Sequence, residues 1–177
     1  HGDGAPGDGV YGTTVPGLAA GQRLDFHIRA VNARDQLTTA PLDAPRAAYL
    51  CPFSNTPPPG NYPAYRIVMT TANQTELETR DLYSDVLLDA TFIHEDGRIF
   101  YNVGIRYRGS STRNQWPRAY RVSFAKNNSL DGVTELNLLS QEVIRQKIGY
   151  RTFQRAGFPA PLEEFHQFSF NGGAFLL

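Results

Sequence analysis

A chain of 177 residues that is 41% hydrophobic and 12% aromatic can bury the core of one domain, or of one domain and part of another, and its composition is not that of a disordered chain. Its 17 basic and 17 acidic side chains cancel, which removes any overall field for steering nucleic acid or an anionic membrane surface. One cysteine, Cys51, and four scattered histidines exclude an internal disulfide and a paired-cysteine zinc site, and no apolar run reaches the roughly 18 residues of a membrane span.

The chain opens His1-Gly2-Asp3-Gly4 with neither the basic nor the apolar region of a signal peptide, and its single methionine is Met69, so the N-terminus is expected to lie upstream. Residues 1–46 read as all-β. Gly2-Asp3-Gly4 and Gly7-Asp8-Gly9 are turn chemistry rather than a calcium loop, which would carry more acidic positions at fixed offsets. Tyr11–Val15 is a short candidate strand. Leu24–Val31 alternates, with Leu24, Phe26, Ile28 and Ala30 on one face, as in a half-buried strand. An immunoglobulin-like sandwich needs about 100 residues. Residues 1–46 are therefore expected to be the C-terminal remnant of such a module.

Residues 47–63 are expected to be a linker, and within them the run from Cys51 to Pro63 is stiff and proline-rich. A second domain is placed at 64–177. Tyr65–Thr70 suits a strand, and Asn73–Arg80 a short helix capped by Asn73. Leu87–Ile93 and Arg98–Arg108 flank Asp96-Gly97 as a hairpin. In the second arm Ile99, Tyr101, Val103, Ile105 and Tyr107 are expected on one face, with Arg106 and Arg108 on the other. Tyr120–Phe124 and Glu135–Leu139 follow as strands. Ser140–Ala156 is the one long helix, with Ser140 as N-cap and Gly157 as its stop. Glu164–Phe170 is a last strand before the turn Asn171-Gly172, and the apolar run at 174–177 suggests that the C-terminus is also a cut.

No phosphate loop, dinucleotide fingerprint, nucleophile elbow or standard kinase motif is present. The chemistry-bearing stretch is Ile105 to Arg113, where three arginines and three hydroxyls surround Gly109 at the end of a strand. Guanidinium groups, hydroxyls and backbone amides are what phosphate oxygens need. Tyr107, Trp116 and Tyr120 interleave with these arginines as in single-strand nucleic-acid binders, but nothing else in the chain is basic, so no nucleic-acid partner is expected.

Arg108-Gly109-Ser110-Ser111 leads through Trp116-Pro117-Arg118-Ala119-Tyr120-Arg121-Val122-Ser123-Phe124 to Asp131-Gly132, the strand Leu136-Asn137-Leu138, the helix end Ala156-Gly157-Phe158-Pro159-Ala160-Pro161 and Asn171-Gly172. In order and spacing this series, over about residues 65–177, resembles the CotH (spore-coat protein H) kinase-like family. The opening segment more loosely resembles the end of immunoglobulin- or fibronectin-like repeats in large secreted bacterial proteins. The resemblance implies an α+β fold, namely the N-terminal lobe of an atypical protein kinase with an antiparallel sheet and one long helix. It implies ATP with Mg2+ or Mn2+, transfer of phosphate to Ser or Thr of a coat or surface protein, and an extracellular or cell-surface location. Arg108, Gly109, Ser110 and Ser111 would then lie over the phosphates. Arg118 would stand where the family has a basic residue, usually lysine, and Glu142 on the long helix would be its ion-pair partner. The family's catalytic and metal-binding aspartates are expected beyond the Asn-Gly hairpin, so no catalytic or metal residue is assigned here and the fragment alone is expected to be inactive. Whether Arg108 and Arg118 converge on one cleft separates the readings, and the phosphate site carried over from the resemblance fails if they point to opposite faces. The alternative is a non-catalytic structural or adhesive surface module.

Overall fold

The computed structural model of the protein describes residue 9 and residues 11–53 and 61–173. The turns expected at 2–4 and 7–8, the proline-rich run 54–60 and the apolar end 174–177 lie outside the described residues.

The fold is mixed α+β. Its body is a six-stranded sheet in the order β10-β5-β6-β7-β8-β9, formed by β5 (Ala64–Val68), β6 (Leu88–Ile93), β7 (Ile99–Tyr107), β8 (Tyr120–Ser123), β9 (Glu135–Leu138) and β10 (Gln167–Phe170). The pairings from β5 to β9 are antiparallel, but β10 runs parallel to β5, so the sheet is not the purely antiparallel one expected. It curls strongly. Tyr120 of β8 stacks on Phe170 of β10 at 5.4 Å although β5, β6 and β7 lie between them in the sheet.

The concave face is continuously apolar. Ile67, Phe92, Val103, Ile105, Val122, Leu138 and Phe168 pack there with Met69 and with Leu77 of helix α1 (Thr71–Thr79). Side-chain alternation fixes which residues these are. One irregularity resets it. Between the pairs Ala90↔Val103 and Phe92↔Phe100, β6 contributes one residue and β7 two, and Asn102 takes φ 55°. This bulge puts Phe100 in the core with Val103, and turns Tyr101 to the opposite face against Phe26 and Tyr49. The expected common face of Tyr101 and Val103 is therefore corrected, because one inserted residue reverses the phase of a period-two pattern.

On the convex face β1 (Arg23–Phe26) and β4 (Tyr49–Pro52) pair as a ribbon. Leu50 is fully buried against Val68 and Ile93, and Arg23 Nη1 donates to the Met69 carbonyl at 2.7 Å. Residues 49–52, expected in the linker, are thus a seated strand. The run 24–31 is not one strand either. It breaks at His27, and β2 (Ile28–Val31) pairs with β3 (Leu37–Ala40) in a separate ribbon whose Ile28, Val31 and Leu37 are exposed. Tyr11–Val15 forms no strand.

The N-cap of α1 is Thr70, whose Oγ1 accepts from the Asn73 amide at 3.1 Å. Asn73 itself reaches the Asp89 carbonyl instead of capping. Helix α2 (Val143–Arg155) has Glu142 rather than Ser140 at its N-cap and so starts two residues later than expected, Ser140 being bonded elsewhere. It ends as the sequence predicts. Gly157 takes φ 81°, its amide donates to Gln154, the Phe158 amide donates to Phe153, and the two phenyl rings meet at 6.3 Å, which is a Schellman cap with its apolar contact.

Candidate functional site

Among the described residues no ribbon covers the convex face of β7 beyond Tyr101, nor that of β8 and β9. Register places Arg106 opposite Arg121, and Arg121 opposite Asn137, so the three side chains form a row across the strands. Arg108 continues the Arg106 side of β7 two residues on. Gly109 then turns the chain at φ 111°, and Ser110, Ser111 and Thr112 follow in exposed positions. Together these residues line an open recess of about 530 Å³, with Arg113 and Glu135 completing its wall. Four of the five predicted site residues, Arg108, Gly109, Ser110 and Ser111, are thus brought together.

Arg118 is not among the lining. Arg108 is bonded through its amide to the Ala119 carbonyl at 2.8 Å, so Arg118 and Tyr120 fall on the other side of β8. The Arg118 guanidinium lies 4.8 Å from the centroid of the Tyr107 ring, a core residue, and donates to the Arg113 carbonyl. The expected convergence of Arg108 and Arg118 on one cleft is not found, and the reason is the twofold period of the strands. Glu142 is not the partner of Arg118. It sits at φ 55° before α2, caps nothing with its side chain, and pairs with Arg145 at 2.8 Å. Ser140 Oγ donates toward the Pro117 and Arg118 carbonyls at 2.9 and 3.0 Å, tying the start of α2 to the lead of β8. Tyr107 and Tyr120 face the core, and of the three interleaved aromatics only Trp116 is exposed.

Two carboxylates missed at the level of sequence complete the electrostatics. Like charges directly opposite on paired strands repel, as Arg106 and Arg121 do here. Asp85 meets Arg106 at 3.1 Å and Arg113 at 2.7 Å, while Glu135 pairs with Arg121. The hydrogen bond from Arg113, with the charge of Arg106 beside it, holds the Asp85 carboxyl below the usual range. Arg113 is a buried strut. Beyond Asp85 it donates to the carbonyls of Gly109 at 2.5 Å and of Leu82 and Ser84 at 3.3 Å, clamping the 109–113 turn to the 82–85 segment. Arg108 is in no ion pair among the described residues, although its charge reaches Glu163, whose carboxyl burial pushes up. The signal for Asp85 and Glu135 lay in strand register and in a loop contact, neither of which is a sequence pattern.

A second cavity, of about 320 Å³, lies between β9, the lead of β10 and α2. Tyr65 and His166 line it, stacked at 4.3 Å with Oη and Nε2 at 2.8 Å, beside Lys147, Phe165 and Phe168. Burial pushes the Tyr65 phenol up to about 12 and the His166 imidazole down. It holds none of the predicted site residues.

Comparison with models of known protein families gives no match, and comparison with curated proteins gives none.

Proposed function

We propose that the recess on the convex face of β7, β8 and β9 binds phosphate, and that the chain is the nucleotide-handling part of a CotH-like atypical protein kinase of the cell surface or extracellular space, preceded by a remnant of a β-sandwich module. The observation that carries this reading is the set Arg106, Arg108 and Arg121 around a Gly109 turn with three exposed hydroxyls. Guanidinium forks on and just beyond the strands, with hydroxyl donors on the turn that follows, are the groups that phosphate oxygens accept from. In the parent protein the phosphate would come from ATP and pass to a hydroxyl of a coat or surface protein. Among the described residues no three His, Cys, Asp or Glu side chains group to hold a metal ion, so Mg2+ or Mn2+ enters this reading only as the companion of the nucleotide.

The position of Arg118 favours a second reading. A kinase lobe needs its strand cation at the phosphates, and here that cation lies over Tyr107. A non-catalytic surface module would have no use for it there. Calorimetric titration with Mg2+–ATP of the wild type, Arg108→Ala and Arg118→Ala separates the readings. Loss of binding in both variants is the kinase outcome. Loss in Arg108→Ala alone keeps a phosphate recess without kinase geometry, and saturable binding unchanged in Arg108→Ala, or none in the wild type, overturns the recess.

A further inference from the structure

The cavity between β9, the lead of β10 and α2 has the opposite chemistry to the recess. Much of its lining is apolar, with Leu138, Leu139, Val143 and Phe168, and its volume of about 320 Å³ suits a small organic molecule. The charged side chains on the lining are three carboxylates, Asp131, Glu163 and Glu164, against the single lysine Lys147. Asp131 pairs with Arg98, and Glu164 with Lys147 and Arg151. Glu163 is in no ion pair among the described residues, and its Oε2 is buried without a hydrogen-bond partner. A buried carboxylate oxygen left unpaired is costly, and a cationic donor placed against it removes the cost. We propose that this cavity binds a small organic amine, with the ammonium group held by Glu163 and the Tyr65 hydroxyl and the apolar body packed against Leu138, Val143 and Phe168. The inference stands apart from the phosphate reading.

The polar groups on the lining are set to accept. The His166 ring bonds the Glu164 backbone in the sense that favours the charged ring, so the ring donates to a carbonyl. With that proton on Nδ1, Nε2 accepts from the Tyr65 hydroxyl at 2.8 Å, and Tyr65 Oη keeps its lone pairs for a donor in the cavity. Burial holds the Glu163 carboxyl above its usual range in spite of the charges of Lys147 and Arg108 nearby. Lys147 does not satisfy it, because its Nζ is bonded to the exposed Glu164 at 3.3 Å. That same Nζ lies 4.2 Å from the centroid of the Phe165 ring, so the wall already carries one ammonium on an aromatic face, its charge offset by Glu164. An anionic ligand would meet the carboxylates, and a neutral one would leave Glu163 without a counter-charge.

The test is calorimetric titration of the wild type, Glu163→Gln and Val143→Phe with 2-phenylethylamine and with 2-phenylethanol, which share a body and differ in the charge of the head. The wild type is expected to bind the amine about tenfold or more tightly than the alcohol, the worth of a hydrogen bond to a charged group. Glu163→Gln is expected to weaken the amine by about tenfold and to leave the alcohol nearly unchanged, so that the preference closes. Val143→Phe fills the cavity from α2 and is expected to abolish binding of both. Glu163→Gln lies outside the apolar core and decides the matter alone if Val143→Phe fails to fold. No binding of the amine by the wild type, an alcohol bound as tightly as the amine, or an amine affinity unchanged in Glu163→Gln overturns the inference. Each of these results leaves the phosphate reading of the recess standing.

Discussion

The two faces of β7, β8 and β9 come from the same residues of backbone and differ in what closes over them. On the concave face Val103, Ile105, Val122 and Leu138 are sealed by the curl of the sheet and by β10. On the convex face Arg106, Arg121 and Asn137 are left uncovered, because the β1–β4 ribbon seats on β5 and β6 and stops at Tyr101 of β7. A sheet that spends one face on stability keeps the other for charge, and the boundary between the two uses is the edge of the ribbon.

The comparison breaks most visibly at Ile105. This side chain is fully buried, and its truncation leaves a cavity among rings and branched side chains that the curled sheet cannot readily collapse. Ile105→Ala is expected to lower unfolding free energy by about 3 kcal/mol, read from the urea midpoint, with anion binding intact in the folded fraction. Arg106→Ala, one residue away on the other face, is expected to cost less than about 1 kcal/mol and to weaken anion binding. Equal stability losses from the two substitutions would mean that the faces are not separate.

Much of this division was legible in the sequence. The alternation from Val103 onward in β7, the Asp96-Gly97 turn and the Gly157 stop are local signals, and those features stand where the signals put them. Arg108, Gly109, Ser110 and Ser111 were grouped because they adjoin one another along the chain. What was not legible depends on partners distant in sequence. Tyr101 leaves its expected face because of a bulge opposite Thr91, Arg118 leaves the recess because of its pairing with β7, and β4 is a strand only because β1 and the back of the sheet receive it. Asp85 reaches the site through a loop contact no periodicity encodes.

The covered half of the convex face has its own titratable group. Asp89 accepts from Asn102 Nδ2 at 2.9 Å and from the Ala48 amide, but burial under the ribbon dominates and pushes its carboxyl up to about 6. In the unfolded chain the value is about 3.9. A raised carboxyl contributes stability that is complete below about pH 4 and is lost as the pH rises through 6. Allowing for the solvent that reaches the group, the loss is about 1–2 kcal/mol. Asp85, Asp96 and Asp131 are shifted the other way, so the useful quantity is the difference between the wild type and Asp89→Asn. That difference is expected to favour the variant progressively from pH 4 to pH 7 in thermal melts. A constant difference would show that the ribbon does not desolvate Asp89, and would erase the contrast between the covered and open halves.

A smaller effect than at Asp89 is expected at the turn that ends β7. Gly109 has φ 111°, where a side chain is strained, and an added Cβ would stand 2.4 Å from Thr112 Oγ1. The threonine side chain can rotate away, but the backbone conformation cannot be kept without strain. Gly109→Ala is therefore expected to cost about 1 kcal/mol and to move the hydroxyls of Ser110 and Ser111. The core residues behind the turn are untouched, so a melt should fall by only a few degrees while orthophosphate affinity drops severalfold. Loss of stability without loss of affinity would place the turn with the concave face, as a structural joint only. Loss of affinity at nearly unchanged stability would show that the open face is organised by its backbone as well as by its arginines.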